Sequence, residues 1–146
     1  LLSTSLTVDA LELVPHKASY TAKIKKGISI KGKAIRELKK ADNGLWLYSF
    51  DVKSFVADIE ELTTLKWQND HVTPHHYHYT LSAFLARDRK REIYFDWKKM
   101  SATNPLRKKG WFLDKIPKNT LDRLSYQLQL GMDLQSGKKE MIYHLF

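Results

Sequence analysis

Apolar residues at every second position are the feature that most constrains the fold of this chain. The pattern is clearest in residues 46–53, where Trp46, Tyr48, Phe50 and Val52 occupy alternate positions. Successive side chains of a β-strand point to opposite faces of the sheet, so this spacing predicts a strand with one buried face. The same period recurs through most of the sequence, which predicts many strands rather than a helical bundle.

Residues that favour chain reversal separate these strands. Residues 42–44, Asp-Asn-Gly, predict a hairpin because Asn and Gly tolerate the positive φ that tight hairpins require. Residues 26–27, 69–70 and 104–105 predict further turns or breaks. The charged run at residues 87–91 predicts the tip of another hairpin.

One segment near the C-terminus changes period. Leu121, Leu124, Leu128 and Met132 recur at helical spacing, which predicts an amphipathic helix at about residues 119–135. We expect the side chain of Asn119 or Thr120 to cap its first N–H groups, and Gly137 to lie just past its last turn.

The order of these elements sets the fold class. The strand–helix–strand alternation that builds parallel sheets is absent from the sequence. A single amphipathic helix is then the available cover for the apolar face of the sheet. The sequence therefore predicts a mainly β fold, in which an antiparallel, strongly curved sheet or half-open barrel packs against one helix.

The chain has 146 residues, the usual size of one domain. Residues 1–10 resemble the end of a signal peptide, with Val8 and Ala10 as the small residues before a cleavage site; a frayed N-terminal strand is the alternative. Residues 11–146 are predicted to form one β-rich domain. We expect it to be incomplete at its C-terminus, because residues 141–146 end in an apolar run. No run of about 18 apolar residues occurs, so no transmembrane helix is predicted.

The chain is basic, with 25 Lys and Arg against 16 Asp and Glu and a net charge of +9. Such an excess favours anionic partners, including lipid headgroups and nucleic acid. The basic clusters, however, recur along the whole chain at expected turns and strand ends. This distribution favours a solvated lysine rim over one specific basic groove.

Four of the six histidines, His71, His75, His76 and His78, fall within eight residues. On a strand, His76 and His78 would share one face and resemble the paired ligands of a metal site. Zinc needs four ligands, or three and a water, and the chain has no cysteine to supply the others. We therefore predict no metal site here, and leave open whether these histidines have any function.

The sequence contains no recognisable catalytic or cofactor-binding pattern. Glu60 and Glu61 are adjacent, so on a strand their carboxylates diverge and cannot act as a pair. A nucleophile elbow, a glycine-rich phosphate loop and a dinucleotide fingerprint are all missing. We predict no enzymatic activity, no catalytic residues and no cofactor. Aromatic residues near lysine suit RNA, but they fall on the apolar phase of strands, so nucleic acid is not expected.

Spaced features of the sequence resemble a bacterial envelope family that is catalogued as domain of unknown function 3108. They cover about residues 18–140, and the most specific is the last, with its Asp122-Arg123-Leu124-Ser125 core. They are ASYTAKIKKGISIKGKA, DNGLWLYSFDV, VTPHHYHY, REIYFDW and NTLDRLSYQLQLGMDL. The resemblance implies an exported, periplasmic protein that is mainly β with one helix and has no assigned activity.

The resemblance also bears on the histidines. The family has a proline followed by a tyrosine-rich strand at this place, often with arginine where this chain has histidine. VTPHHYHY is then interpreted as an ordinary strand with imidazole at exposed basic positions, which argues further against a metal.

These observations favour a non-catalytic periplasmic protein that binds an amphipathic or anionic envelope molecule, such as a lipid, or an envelope protein. Its apolar part would contact the ligand-facing candidates, and the lysine rim would meet its anionic part. Those candidates are Trp46, Tyr48, Phe50, Tyr77 and Tyr79. The alternatives are an envelope scaffold without a small ligand and a cytosolic RNA-binding β-protein. The oligomeric state is left open.

Overall fold

A computed structural model describes residues 10–26, 28–107, 111–113 and 115–146. Within them, one α-helix, one short 3-10 helix (Asp42–Gly44) and eight strands occur, and each strand pairs antiparallel with the next in sequence. The elements are β1 (His16–Lys26), β2 (Ile28–Lys40), β3 (Trp46–Ser54), β4 (Ala57–Gln68), β5 (His71–Ala83), β6 (Ala86–Asp96), β7 (Ser101–Asn104), β8 (Trp111–Leu113) and α1 (Ser125–Gln135). The mainly β prediction is confirmed. The sheet is open, with β1 and β8 as its edges.

The predicted signal-peptide remnant at residues 1–10 lies almost entirely outside the described residues, as does Gly27 of the predicted first turn. Two other turns are confirmed. Asn43 and Gly44 have φ of 60° and 71°, and Asn69 and Asp70 have φ of 51° and 61°. Two successive residues with positive φ match the right-handed twist of the flanking strands, which is why Asn, Asp and Gly occupy them.

The hairpin between β5 and β6 differs from the prediction. Its tip is Phe84–Leu85, whereas residues 87–91 belong to β6, and residues 89–91 pair with β5. Arg89, Lys90 and Arg91 stand opposite Leu81, Thr80 and Tyr79. Both faces of β6 are exposed over this stretch. Charged side chains there remain solvated, so they do not prevent the backbone hydrogen bonds between β5 and β6.

The face of the sheet that packs against α1 is called the inner face. A cross-strand row of five paired residues at its centre, from β2 to β6, is buried: Leu38, Tyr48, Thr63, Tyr77 and Ile93. Trp46, Leu65, Phe95, Leu124 and Leu128 belong to the same core. The half of the sheet near α1 therefore has its apolar face covered, as the amphipathic pattern requires.

A β-bulge at His75 keeps β5 in phase with this core. Leu65 pairs with Pro74, but the preceding residue Thr64 pairs with His76, so β5 has one extra residue at this point. The extra residue allows Val72 and Tyr77, an odd number of positions apart, to reach the inner face together. Simple alternation along the sequence would have placed them on opposite faces.

The helix begins later than predicted, at Ser125 rather than near residue 119. Its cap is Asp122, whose Oδ1 accepts hydrogen bonds from the backbone N–H of Leu124 (2.9 Å) and Ser125 (2.8 Å). Ser125 Oγ in turn accepts from the N–H of Asp122 (3.0 Å). This reciprocal pair is a capping box.

The expected caps have other roles. Asn119 adopts a left-handed φ of 62°, and the hydroxyl of Thr120 donates to Pro117 O (2.7 Å). Leu121 lies outside the helix, where its N–H donates to His144 O (2.9 Å) and its carbonyl accepts from Phe146 N–H (3.0 Å). The C-terminal run thus forms a short parallel bridge with Leu121 rather than another strand of the sheet.

Gly137 ends the helix as predicted, with φ of 83°. Its N–H donates to Leu134 O (3.1 Å), and the N–H of Lys138 donates to Asp133 O (3.1 Å). These two bonds are the Schellman pattern, in which a left-handed glycine satisfies the last carbonyl groups of the helix.

Gly131, by contrast, has no structural need for glycine. It lies inside α1, is exposed, and an added Cβ would meet no atom within 4 Å. We expect Gly131→Ala to raise the free energy of unfolding by about 0.5–1 kcal/mol, through helix propensity and loss of unfolded-state entropy. Gly137→Ala should lower it instead, because its φ is positive. Urea melts would measure both variants. If Gly131→Ala did not raise the free energy of unfolding, the backbone at Gly131 would not have an ordinary α-helical conformation.

Candidate binding surface on the inner face

A second cross-strand row lies next to the buried one, on the side away from α1. It consists of Arg36 on β2, Phe50 on β3, Glu61 on β4, Tyr79 on β5 and Arg91 on β6, each paired with the next. Directly paired residues share a face of the sheet. Two arginines, two aromatic rings and one carboxylate therefore line the boundary of the core; this set is called the boundary row.

Arg36 is held against two aromatic rings. Its Nη1 donates to the hydroxyl of Tyr48 (2.8 Å), and its guanidinium lies 4.7 Å from the ring centre of Phe50 and 5.6 Å from that of Tyr48. Cation–π contact fixes the guanidinium while leaving other N–H donors for an anion. This geometry suits recognition of a carboxylate or phosphate.

Arg123 approaches the same row from the turn before α1. Its guanidinium lies 5.4 Å from the ring centre of Tyr79, and its Nε lies 3.8 Å from Glu61 Oε1. The side chain of Arg123 is 58% exposed, whereas that of Glu61 is 6% exposed. Arg36 and Arg123 thus stand at separate points of one surface with the buried Glu61 between them.

Glu61 is tied to the core by Tyr77, whose hydroxyl donates to Glu61 Oε1 (2.6 Å). Burial raises the pKa of Tyr77, and the bond to the Glu61 carboxylate raises it further. The phenol therefore stays protonated and remains a donor. This bond and Arg123 compensate the charge of Glu61, so it does not prevent an anion from binding nearby.

A third row continues the inner face away from α1. Val52, Ile59 and Leu81 are paired in sequence across β3, β4 and β5, and Arg89 stands opposite Leu81. The three apolar residues are only partly buried, and Arg89 is exposed. The apolar face of the sheet therefore extends beyond the part that the helix covers; these three residues are called the open apolar row.

The described structure also shows a small depression at the β6 end of this surface. It has a volume of about 200 Å³ and is lined by Arg91, Ile93, Asn104, Arg107 and Phe146. Two arginines thus lie beside two apolar side chains in this depression, and the boundary row likewise combines arginines with aromatic rings.

All five ligand-facing residues predicted from sequence lie on the inner face, but in different positions. Trp46, Tyr48 and Tyr77 are buried in the core. Phe50 and Tyr79 are half-buried members of the boundary row and can reach solvent. Contact between a ligand and any of them stays a prediction.

The sequence reasoning missed the arginines of this surface. Arg36 occupies the apolar phase of β2, two positions from Ala34 and Leu38, and Arg91 stands two positions before Ile93. Because each of these arginines occupies a position in the apolar phase of its strand, the alternation alone would have predicted that its side chain lies on the inner face. Arg123 had no such sign, because it lies in a turn.

The histidine cluster lies partly on the opposite, outer face. His76 stacks on Tyr94 with 4.3 Å between ring centres, and its Nε2 lies 2.8 Å from Glu92 Oε1. Tyr94 also donates to that oxygen (2.7 Å). The bond from Tyr94 lowers the pKa of Glu92, and His76 lowers it further. This arrangement is a cross-strand polar pair of the kind that stabilises antiparallel sheets.

The remaining histidines do not complete a metal site in the part of the chain that the structure describes. The rings of His76 and His78 are 6.5 Å apart. No group of three or more His, Cys, Asp or Glu residues among the described positions has the geometry to hold a metal ion. Burial lowers the pKa of His75, with a smaller contribution from Lys66, so this imidazole favours its neutral form.

The outer-face pair supports a test of its structural role. We expect His76→Ala to lower the free energy of unfolding by about 0.5–1.5 kcal/mol, through loss of the Tyr94 stack and the Glu92 bond. His78→Ala, with neither contact, should cost less than about 0.5 kcal/mol. Neither EDTA nor added zinc should shift the melting temperature. A melting temperature that rises with zinc in the parent chain, but not in His76→Ala, would contradict the non-metal interpretation.

The adjacent carboxylates diverge, as expected for neighbours on a strand. Glu60 is exposed near Lys53 (3.5 Å between Oε1 and Nζ), whereas Glu61 is buried beside Tyr77. The pair therefore cannot supply two carboxylates to one reacting group.

In comparisons with known proteins, no family model matched this chain, and no curated protein or solved structure was significantly similar to it. Among the described residues, no helix is long and apolar enough to cross a membrane. The case for a function therefore depends on the geometry of the surface itself.

Proposed function

We propose that the chain is a non-catalytic periplasmic protein that binds an anionic amphiphile on the open half of its inner face. The observation that carries this proposal is the open apolar row, which lies beside the arginines of the boundary row on one face. Apolar side chains flanked by a few fixed polar groups are the usual composition of a ligand site.

The two parts of an amphiphile fit two parts of this surface. An alkyl chain would lie across Val52, Ile59 and Leu81, where it would shield half-buried apolar surface at about 25 cal/mol per Å². Its anionic group would meet Arg36 or Arg123, each already oriented by an aromatic ring. A phosphate or carboxylate accepts paired hydrogen bonds from a guanidinium with charge on both partners, whereas a neutral head group accepts weaker bonds without charge on the acceptor.

The periplasmic location is supported by the sequence alone, through the resemblance to the envelope family and the apolar N-terminal residues. An envelope scaffold without a small ligand remains the competing hypothesis. It predicts that the inner face binds no amphiphile at all, so one binding experiment separates the two.

Isothermal titration of the purified chain with dodecyl phosphate, dodecyl maltoside and inorganic phosphate tests the proposal. We expect dodecyl phosphate, used below its micellar concentration, to bind most tightly, because only it engages both parts of the surface. Arg36→Gln combined with Arg123→Gln should weaken dodecyl phosphate at least tenfold, or about 1.4 kcal/mol, and leave the maltoside nearly unchanged.

The matched control is Lys39→Gln combined with Lys98→Gln, which removes the same charge from exposed positions outside the surface. It should bind dodecyl phosphate as the parent does. An equal loss in both double variants would mean that net charge, not this surface, attracts the ligand. The absence of binding to any of the three compounds would favour the scaffold.

A further inference from the structure

Two neighbouring hairpins end in large apolar residues that the core does not use. The β3–β4 turn presents Phe55, which is 94% exposed, followed by Val56; the β5–β6 turn presents Phe84 and Leu85, which are 82% and 92% exposed. The N–H of Phe84 donates to Val56 O (3.0 Å), so the backbones of the two tips are joined. Exposed apolar side chains clustered in this way indicate contact with another apolar phase.

These tips project away from the covered core. In an up-and-down sheet the turns after β3 and β5 lie at one end, and the turn between β4 and β5 lies at the other. The helix binds at that other end, where Gln129 bonds to Val72 N–H (2.6 Å) and Asp70 O (3.0 Å). From the buried Tyr77 to Phe84 the strand advances roughly 23 Å, at about 3.3 Å per residue.

The tips are also basic. Residues 53–58 and 82–91 together contain five Lys or Arg and two Asp. An open depression of about 450 Å³ lies beside Phe55 and is lined in part by Lys31, Lys33 and Lys53.

Two of these lysines repel each other. Lys33 stands directly opposite Lys53 across β2 and β3, and like charges in that position are unfavourable. Lys53 also contacts Asp58 (3.4 Å) and Glu60 (3.5 Å), which offset part of the repulsion. An anion placed between the lysines would offset it further.

We propose that this end of the sheet docks on the surface of an anionic lipid bilayer. Phe55, Phe84 and Leu85 enter the boundary between headgroups and acyl chains, and the surrounding lysines and arginines contact the anionic headgroups. Apolar insertion combined with basic charge is the physical requirement for reversible binding at a membrane surface. The apolar residues that would enter the bilayer lie outside the amphiphile site, and of the basic residues counted here Arg89 and Arg91 also lie on the inner face. Docking therefore does not depend on the proposed function.

Sedimentation of the full chain with large vesicles tests this inference. The vesicles would be phosphatidylcholine alone, or phosphatidylcholine with about one part in three of phosphatidylglycerol. We expect binding to the anionic vesicles, weakening as salt is raised, and little binding to the neutral ones. Phe55→Ser combined with Phe84→Ser should weaken vesicle binding at least tenfold.

Val14→Ser combined with Ile142→Ser is the matched control, because both residues are exposed and apolar but lie away from the tips. It should bind vesicles as the parent does, and circular dichroism should show that each variant stays folded. Equal binding by both double variants, or no binding of the parent chain to anionic vesicles, would overturn the proposal. The proposal would also be overturned if sedimentation velocity showed that the parent chain self-associates and that only the tip variant loses this self-association. The tips would then be a protein interface. Dodecyl phosphate binding retained by the tip variant would show that the inner face is intact in either case.

Discussion

Replacing Leu124 by alanine is expected to lower the free energy of unfolding by about 2–5 kcal/mol. Leu124 is fully buried, directly before α1, in the core that joins the helix to the inner face. Its truncation removes the transfer free energy of the side chain and leaves a cavity that the packed sheet can fill only in part. Leu124→Asp should cost more, because it would place a charge among apolar side chains.

Leu134→Ala is the control for this prediction, because Leu134 lies on the exposed side of α1 and should be nearly silent. Urea melts would measure both variants, with and without dodecyl phosphate. If the helix is a structural cover, Leu124→Ala shifts the unfolding midpoint strongly. If the helix is instead a mobile lid over a ligand, the midpoint barely moves while ligand affinity changes.

Replacing Asp122 by alanine is expected to lower the free energy of unfolding by about 1.5–5 kcal/mol. Asp122 Oδ1 accepts the N–H groups of Leu124 and Ser125 and the hydroxyl of Thr63 (2.9 Å), and all four residues are buried. Loss of a helix cap costs about 0.5–2 kcal/mol, and an unsatisfied buried hydroxyl adds about 1–3 kcal/mol. The bond to Thr63 also links the helix to β4, so the cap and the tertiary contact fail together.

Asp122→Asn is the informative partner variant, because an amide oxygen can accept the same three hydrogen bonds. Burial raises the pKa of Asp122, although bonds from Ser125 and Thr63 oppose the shift. The folded chain therefore binds the proton more tightly than the unfolded chain. The resulting contribution to stability is full below the ordinary aspartate pKa and is lost as pH rises through the raised folded-state pKa.

The stability of Asp122→Asn relative to the parent should accordingly improve as pH rises through that range. Urea melts of both chains at a series of pH values would measure it. A relative stability that falls with rising pH would mean that the hydrogen bonds outweigh burial and hold the carboxylate ionised.

Much of the fold could be predicted because it depends on local patterns. Alternation identified the strands, and Asn-Gly and Asn-Asp pairs identified two turns through their positive φ. The leucine stripe identified the buried side of the helical region, although only Leu128 and Met132 lie within α1 itself. Hydrophobic spacing reports which side chains are buried, whereas caps decide where the helix begins.

The rest depended on contacts between residues that are distant in sequence. The bulge at His75 reverses the phase of the buried side chains along β5. It is set by the pairing of β5 with β4, so the alternation of residues within β5 does not reveal it. Basic residues at turns were expected to be solvated, yet the Nζ of Lys138, just after α1, contacts the buried carboxylate of Asp133 (2.9 Å). Arg36 and Arg123, far apart in sequence, meet one surface because β2 and the turn before α1 converge on it.

The central claim is that the open half of the inner face is a binding surface with a defined place for an anionic group. Amide NMR spectra of isotopically labelled protein, recorded during titration with dodecyl phosphate, test it most directly. We expect the largest and saturable shifts at Arg36, Phe50, Ile59 and Tyr79, with none at outer-face residues such as His76. Saturable shifts confined to any other part of the chain, or none at a ligand excess, would contradict the account.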